Sequence, residues 1–191
     1  MDSIHSPVEH GENRGGAVFE FLQEPKPRDR HLSREEFDRL LEACDAPHLR
    51  KFLHLAIATA ARKSAILELT RLNVTFDNKG GGTLFLGKKA NGKKRATVPL
   101  TKRLRKEIEA AFESNETEYL VEYAGGRVKD VKKSFNRAVR RAGIKDFNIH
   151  DLRHTFASWL VAEGVSLFEV SKLLRHSSIK MSERYAHPAP D

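Results

Sequence analysis

The sequence predicts a mixed α+β domain, mainly α-helical, with one small three-stranded antiparallel sheet. Apolar residues recur at helical spacing over most of the chain. Between Asn73 and Leu100 the period changes to short β-rich runs, "NVTFD", "GTLFLG" and "RATVPL". The last two of these flank the pair Asn91-Gly92, a strong two-residue hairpin signal. With 191 residues the chain has ordinary single-domain size and can bury a substantial core.

The elements follow in order. Residues 1–30 are rich in Gly, Pro and charge and are expected to form a flexible arm or linker, leaving residues 31–191 as the folded unit. In "HLSREEFDRLLEAC", Ser33 can cap a helix and Glu36 can close the capping box, with Phe37, Leu40 and Leu41 as the buried stripe. "HLRKFLHLAIATAA" predicts a second helix whose later half is apolar on nearly all sides and so belongs inside the fold. "KSAILELTRLN" predicts a short third helix ending near Asn73. Beyond the strands, "TKRLRKEIEAAFE" and "DVKKSFNRAVRRAG" return to the helical period, the latter with Asp130 to cap its start and Gly143 to end it. "HDLRHTFASWL" and "SLFEVSKLLRH" follow, the second with Ser166 and Glu169 as a capping box, and "SIKMSERYAH" is the last element.

Composition narrows the function. The chain carries 34 Lys and Arg against 26 Asp and Glu, a formal net charge of +8, which favours a polyanionic partner such as nucleic acid over an anionic membrane surface. The single cysteine, Cys44, excludes an internal disulfide and a multi-cysteine zinc site, so a reducing cytoplasm is expected. No apolar run approaches membrane-spanning length, and "MDSIHSPVEHGENRGG" lacks the apolar core of a signal peptide. A soluble protein is expected.

The densest chemistry lies in "HDLRHTFASWL". Residues 150, 153 and 154 share one helix face at i, i+3 and i+4 spacing. His150 and His154 have the spacing of a zinc helix, but Asp151 stands where such a helix needs a longer Glu, and Arg153 places a cation inside the ligand pair. An anion-binding reading gains from downstream, where "LLRHSSIKMSERYAH" supplies His176 and Tyr185. An arginine, two histidines and a tyrosine are the parts of phosphoryl transfer to a phenol, with cations and donors on the nonbridging oxygens. Arg suits this because its planar fork grips two oxygens and keeps its charge. Arg62, at the end of an apolar helix, adds a further cation, although a charge there can equally reach for solvent.

The series "TAARKSAILEL", a basic hairpin, "HDLRHTFASWL", "LLRHSS" and "ERYAH" resembles, in that order, the tyrosine recombinases, the phage-integrase family of site-specific DNA recombinases. The resemblance runs from about Leu32 to His187 and implies that family's catalytic-domain fold. Carried over by position, it implies that Arg62 and Arg153 neutralise the scissile phosphate, that His150 binds a phosphate oxygen and helps accept the tyrosine proton, and that His176 donates to the phosphate. Tyr185 is then the nucleophile that forms a 3′-phosphotyrosyl link to DNA. The leaving 5′-oxygen receives its proton from a lysine of the hairpin "GKKANGKKR", where Lys89 is favoured and Lys93 and Lys88 are alternatives. His154 is expected to be a supporting group.

No metal or nucleotide cofactor is implied, because cations and imidazoles supply the electrostatic work and the phosphotyrosyl link conserves the energy of the phosphodiester. The implied partner is double-stranded DNA, with self-association on it, tetrameric in full-length relatives, and with neither a membrane nor a small-molecule substrate. Basic side chains of "TKRLRKEIEAAFE" and "DVKKSFNRAVRRAG" become backbone contacts. The expected location is the cytoplasm, on bacterial nucleoid DNA. Three departures stand out: Ala60 where relatives often have Gly, Ala65 where they often have Glu, and Arg175 where Gly usually precedes the histidine. The arm-like start suggests an isolated catalytic domain without the usual core-binding domain before it. Two other functions remain open from sequence: a type IB topoisomerase, and a non-catalytic DNA-binding remnant.

Overall fold

The computed structural model describes residues 30–87, 96–176 and 178–186. The expected arm up to residue 29 and the tip of the basic hairpin, with Lys88, Lys89 and Lys93, lie outside the described residues.

Helix α1 (Arg34–Glu42) begins at the predicted capping box: the Ser33 side chain accepts from the Glu36 backbone and Glu36 reaches back to the Ser33 N–H. Its buried face is Phe37, Leu40 and Leu41, as the spacing requires. Helix α2 (Pro47–Thr59) is the centre of the molecule and packs against α4 (Lys102–Ser114) and α6 (Asp151–Ala162). Leu49, Phe52 and Leu53 are fully buried on it, and its later half lies inside as expected. It ends at Ala60, which takes a left-handed conformation with φ 49 and ψ 23.

Helix α3 (Lys63–Leu67) is shorter than predicted. The chain leaves it before Thr70, which pairs with Tyr119 as an isolated β-bridge, and Arg71–Asn73 form a 3-10 turn. The Leu69 carbonyl accepts from Leu120 and the Arg71 N–H donates to the Glu118 carbonyl, so tertiary backbone bonds take the groups that a longer helix would use. Asn73 then bonds back to Thr70 and across to the Phe85 carbonyl.

The predicted sheet is present, in the order β1 (Val74–Phe76), β2 (Gly82–Leu86) and β3 (Ala96–Pro99), with both pairings antiparallel. Val74 faces Leu84 and Leu84 faces Val98, so β2 turns Leu84 and Leu86 into the core. At Gly82 (φ 153) a Cβ would sit 2.4 Å from the Thr75 carbonyl oxygen, so only glycine lets the two strands approach. Phe76 meets Phe112 of α4, with ring centroids 5.6 Å apart, and fixes the sheet on the helices.

A second hairpin, β4 (Glu122–Tyr123) and β5 (Gly126–Arg127), is absent from the sequence expectation. Its two-residue turn has positive φ at both Ala124 and Gly125, and alanine gives no signal of that conformation. Helix α5 (Lys132–Arg141) follows; Asp130 accepts from the Lys132 N–H, and Gly143 with φ 69 ends it. Helix α7 (Leu167–Leu174) has the predicted Ser166–Glu169 box. The last stretch forms not one helix but two 3-10 turns, Ile179–Met181 and Glu183–Tyr185. No helix among the described residues is long and apolar enough to cross a membrane.

Helix α6 joins two apolar clusters. Leu152 and Trp159 face the main core, where Trp159 packs edge-on against Phe37 with centroids 5.6 Å apart. Ala157, Phe156 and Leu160 face a smaller cluster with Val170, Leu174 and Tyr185. Fully buried Thr155 ties the helix to the start of the domain: its hydroxyl donates to the Asp151 carbonyl at 2.8 Å and accepts from the Leu32 N–H at 3.0 Å. The substitution Thr155→Val keeps the shape but leaves the buried Leu32 donor unpaired, so we expect a loss of about 1–3 kcal/mol. Urea unfolding should show it as a lower midpoint at unchanged slope.

Candidate active site

The site forms where α2, α6 and α7 converge. Arg62, just past the end of α2 and capping α3, is exposed and lines an open cleft of about 390 Å3 with His150, Arg153, Lys63 and Ser64. Three of the predicted residues therefore share one opening. His150 stands at the first turn of α6, one residue before Asp151, whose buried carboxylate accepts from the Asn148 N–H at 2.8 Å. Asp151 thus anchors the helix start, where the helix dipole favours a negative charge.

Arg153 is buried, with 8% of its surface exposed. Its Nη1 donates to the Ala60 carbonyl at 2.8 Å and its Nη2 to the Leu174 carbonyl, so one guanidinium holds the ends of α2 and α7 together. Among the described residues no carboxylate pairs with it. Burial, then the charges of Arg62 and Arg175, push its pKa down to about 10, with Tyr185 acting in the opposite direction. It remains charged at neutral pH.

The sequence assigns His154 a supporting role and makes His150 the group that helps accept the tyrosine proton. In the folded chain the Tyr185 hydroxyl is hydrogen-bonded to His154 Nδ1 at 2.6 Å, and both residues are 8% exposed. The His150 ring packs edge-on against His154, with centroids 5.1 Å apart. The phenol ring rests on the smaller apolar cluster. Neighbouring-turn geometry made this contact invisible in sequence, because the two residues are separated by 31 positions and two irregular turns.

His176 directly follows the end of α7, and its Nδ1 is 2.7 Å from the hydroxyl of Ser182, which is fully buried. The Ser182 carbonyl in turn accepts from the Tyr185 N–H at 3.0 Å, linking the histidine to the turn that carries the tyrosine. Ser182 was missed because a serine between two turns has no distinguishing spacing. Partial burial, then the charges of Arg153, Arg184, Arg62 and His150, push His176 down to about 4. His150 shifts the same way, through partial desolvation and then Arg153, with Asp151 opposing. Both imidazoles are neutral near pH 7, in a pocket whose surrounding charge is positive.

Lys89, Lys93 and Lys88 lie outside the described residues, so the hairpin lysine has no geometry to report. Among the described residues no cluster of three or more His, Cys, Asp and Glu converges in the manner of a metal site. Some of the expected basic contacts are used within the chain: Arg137 and Arg141 of α5 both pair with Asp45, at 3.1 and 2.7 Å, and Arg105 of α4 pairs with Glu109 at 2.7 Å.

Comparison with known proteins gives the context. The sequence profile of the phage integrase family matches residues 30–191. An integrase of Salmonella phage P22 is 30% identical over 189 aligned residues, covering 89% of this chain and 47% of that protein. The crystallised catalytic domain of bacteriophage HP1 integrase superposes with a TM-score of 0.62 at 31% identity, covering 84% of this chain and 88% of that one. The XerH site-specific recombinase, in a post-cleavage complex with palindromic difH substrate, superposes with a TM-score of 0.68 at 25% identity, covering 83% of this chain and 50% of that one. The chain spans about half the length of the curated integrases it matches.

The depressed histidines have a consequence for stability. For His176 the unfolded chain binds a proton near the ordinary histidine value of about 6.5, which the folded site refuses until about pH 4, and His150 is shifted in the same direction. Their contribution is therefore complete above about pH 6.5 and declines as pH falls toward 4. His48 and His54 shift in the same direction. Thermal unfolding measured from about pH 7 to about pH 4.5 should show a falling midpoint, and His176→Asn should make the fall shallower without abolishing it.

Proposed function

The chain belongs to the phage integrase family, and from that premise we propose that it is the catalytic domain of a site-specific DNA recombinase that cuts and rejoins strands through a 3′-phosphotyrosyl intermediate. The observation that carries this is the convergence at the ends of α2, α6 and α7: Arg62, His150 and Arg153 on one cleft, with the Tyr185 phenol tethered to the same helix. It supports a phosphate held in a cationic pocket with a phenol beside it.

In this mechanism Arg62 and Arg153 bind nonbridging oxygens and take up the charge that builds in the transition state. Arg153 suits the task because its partners are neutral carbonyls, which hold the guanidinium in place without neutralising it. His150 and His176, neutral in the free protein, add hydrogen bonds and acquire positive character as the phosphate enters. The Tyr185 oxygen attacks phosphorus as its proton passes to His154, the imidazole it already contacts, in place of the His150 that the family resemblance implies. The P–O5′ bond breaks, the 3′-phosphotyrosyl ester forms, and the leaving 5′-oxygen takes a proton from the hairpin lysine, for which Lys89 remains our choice. An incoming 5′-hydroxyl reverses the steps and frees the phenol. The partner is double-stranded DNA, with self-association on it, and the work takes place in the cytoplasm on nucleoid DNA.

The test uses a library of nicked duplexes with randomised sequence, in which a cut strand loses its short 3′ piece and traps the covalent product. We expect a detergent-resistant protein–DNA adduct that is absent in Tyr185→Phe and formed about 100-fold more slowly in Arg153→Lys, since removing one transition-state donor typically costs that order. An adduct that persists in Tyr185→Phe overturns the nucleophile, and the absence of any adduct from the native chain overturns the strand-transfer reading.

A further inference from the structure

Arg175 is not accounted for by the roles above. It ends α7 in a left-handed conformation, with φ 55 and ψ 43, which glycine adopts freely and a residue with a side chain adopts only with strain. Its Nε and Nη2 are shut away from solvent and have no hydrogen-bond partner among the described residues. Buried charged donors are ordinarily paired, so two orphaned donors on one half-buried guanidinium call for an explanation. Two independent costs therefore meet at one residue.

The neighbours of Arg175 supply the explanation. The residue before it, Leu174, gives its carbonyl to Arg153, and the residue after it is His176. Burial and then the charge of Arg62 push the Arg175 pKa down, and Arg175 in turn helps to push down Arg153. Three guanidinium groups thus act on one another across the pocket with no carboxylate placed between them among the described residues. Such an arrangement repels itself until an anion enters. Strain and unmet donors of this kind persist at sites where a ligand supplies what the free protein lacks.

We propose that Arg175 is a third phosphate-binding guanidinium of the active site, whose Nε and Nη2 fork binds the same DNA backbone phosphate that Arg62 and Arg153 neutralise. The two unpaired donors lie on one edge of the guanidinium, the geometry that grips two oxygens of a phosphodiester. The inference rests on the strand-transfer reading and adds a residue to it.

The informative variant is Arg175→Gly, which relieves the backbone strain and removes the orphaned donors together. A residue that served the fold alone would leave DNA handling unchanged on removal. For a phosphate ligand we expect the variant to melt at or above the native temperature, and yet to bind DNA with a shallower salt dependence. Measured by fluorescence anisotropy on a labelled duplex, the slope of log affinity against log salt should fall by about one. Adduct formation on the nicked library should slow by about 10- to 100-fold. Arg175→Lys, which keeps the charge but not the fork, should restore the salt slope and leave the adduct slow. A native salt slope and a native adduct rate in Arg175→Gly overturn the proposal. Failure of the native chain to form any adduct instead sinks the strand-transfer reading, while the salt slope still reports whether Arg175 meets a phosphate.

Discussion

A single buried cation organises the site. Arg153 joins the Ala60 carbonyl at the end of α2 to the Leu174 carbonyl at the end of α7, beside an apolar cluster that holds Ala60, Ala157 and Leu174 together. A guanidinium taken out of water is costly unless its donors are met. Helix C-termini meet this need well, since each presents unpaired carbonyls with a partial negative charge of about half a unit. Because the partners are neutral groups, the positive charge is held rather than cancelled. Burial first, and then the charges of neighbouring guanidinium groups, push down the pKa of Arg153, His150 and His176.

The backbone bends to make this bridge. Ala60 and Arg175 both lie in the left-handed region that glycine adopts most freely, one at each helix end that Arg153 grips. Turning the chain left-handed at Ala60 leaves the α2 carbonyls open toward α6. At Arg175 the same turn sends the chain off α7 into the 3-10 turns that deliver Tyr185. The placement of Tyr185 thus descends from the same clamp: Leu174 is held by Arg153, His176 follows and is fixed by Ser182, and the Ser182 carbonyl caps the turn of Tyr185.

The phenol is held in a resting arrangement. Tyr185 sits on an apolar cluster separate from the main core and spends its hydroxyl on His154. Among the described residues the smaller cluster draws on α6, α7, the loop between them, the end of α2 and the turn of Tyr185, and it holds fewer buried residues than the main core. The two histidines at the start of α6 face different ways: His154 meets the phenol, and His150 lines the cleft.

Much of the scaffold was legible in sequence because its signals are local. The Ser33–Glu36 and Ser166–Glu169 boxes, the buried later half of α2 and the three short antiparallel strands each follow from residues within a turn or a pleat of one another. The order of Arg62, His150, Arg153, His176 and Tyr185 also made their shared chemistry readable, and spacing on α6 placed His150 and Arg153 on one face. The end of α3 was not legible, since bonds from Leu120 and Glu118 stop that helix and both lie some fifty residues away in a chain whose loop lengths set no geometry. Nor was the turn at Ala124, where tertiary packing imposes a conformation that alanine does not advertise. Only the tertiary structure showed that Arg153 is a clamp as well as a cation, that His154 meets the phenol, and that Arg175 is left with donors unmet. Residue types and their order determine which chemistry is available; which atoms touch depends on where two helix ends and an irregular turn come to rest, and that is decided by packing among segments remote in the chain.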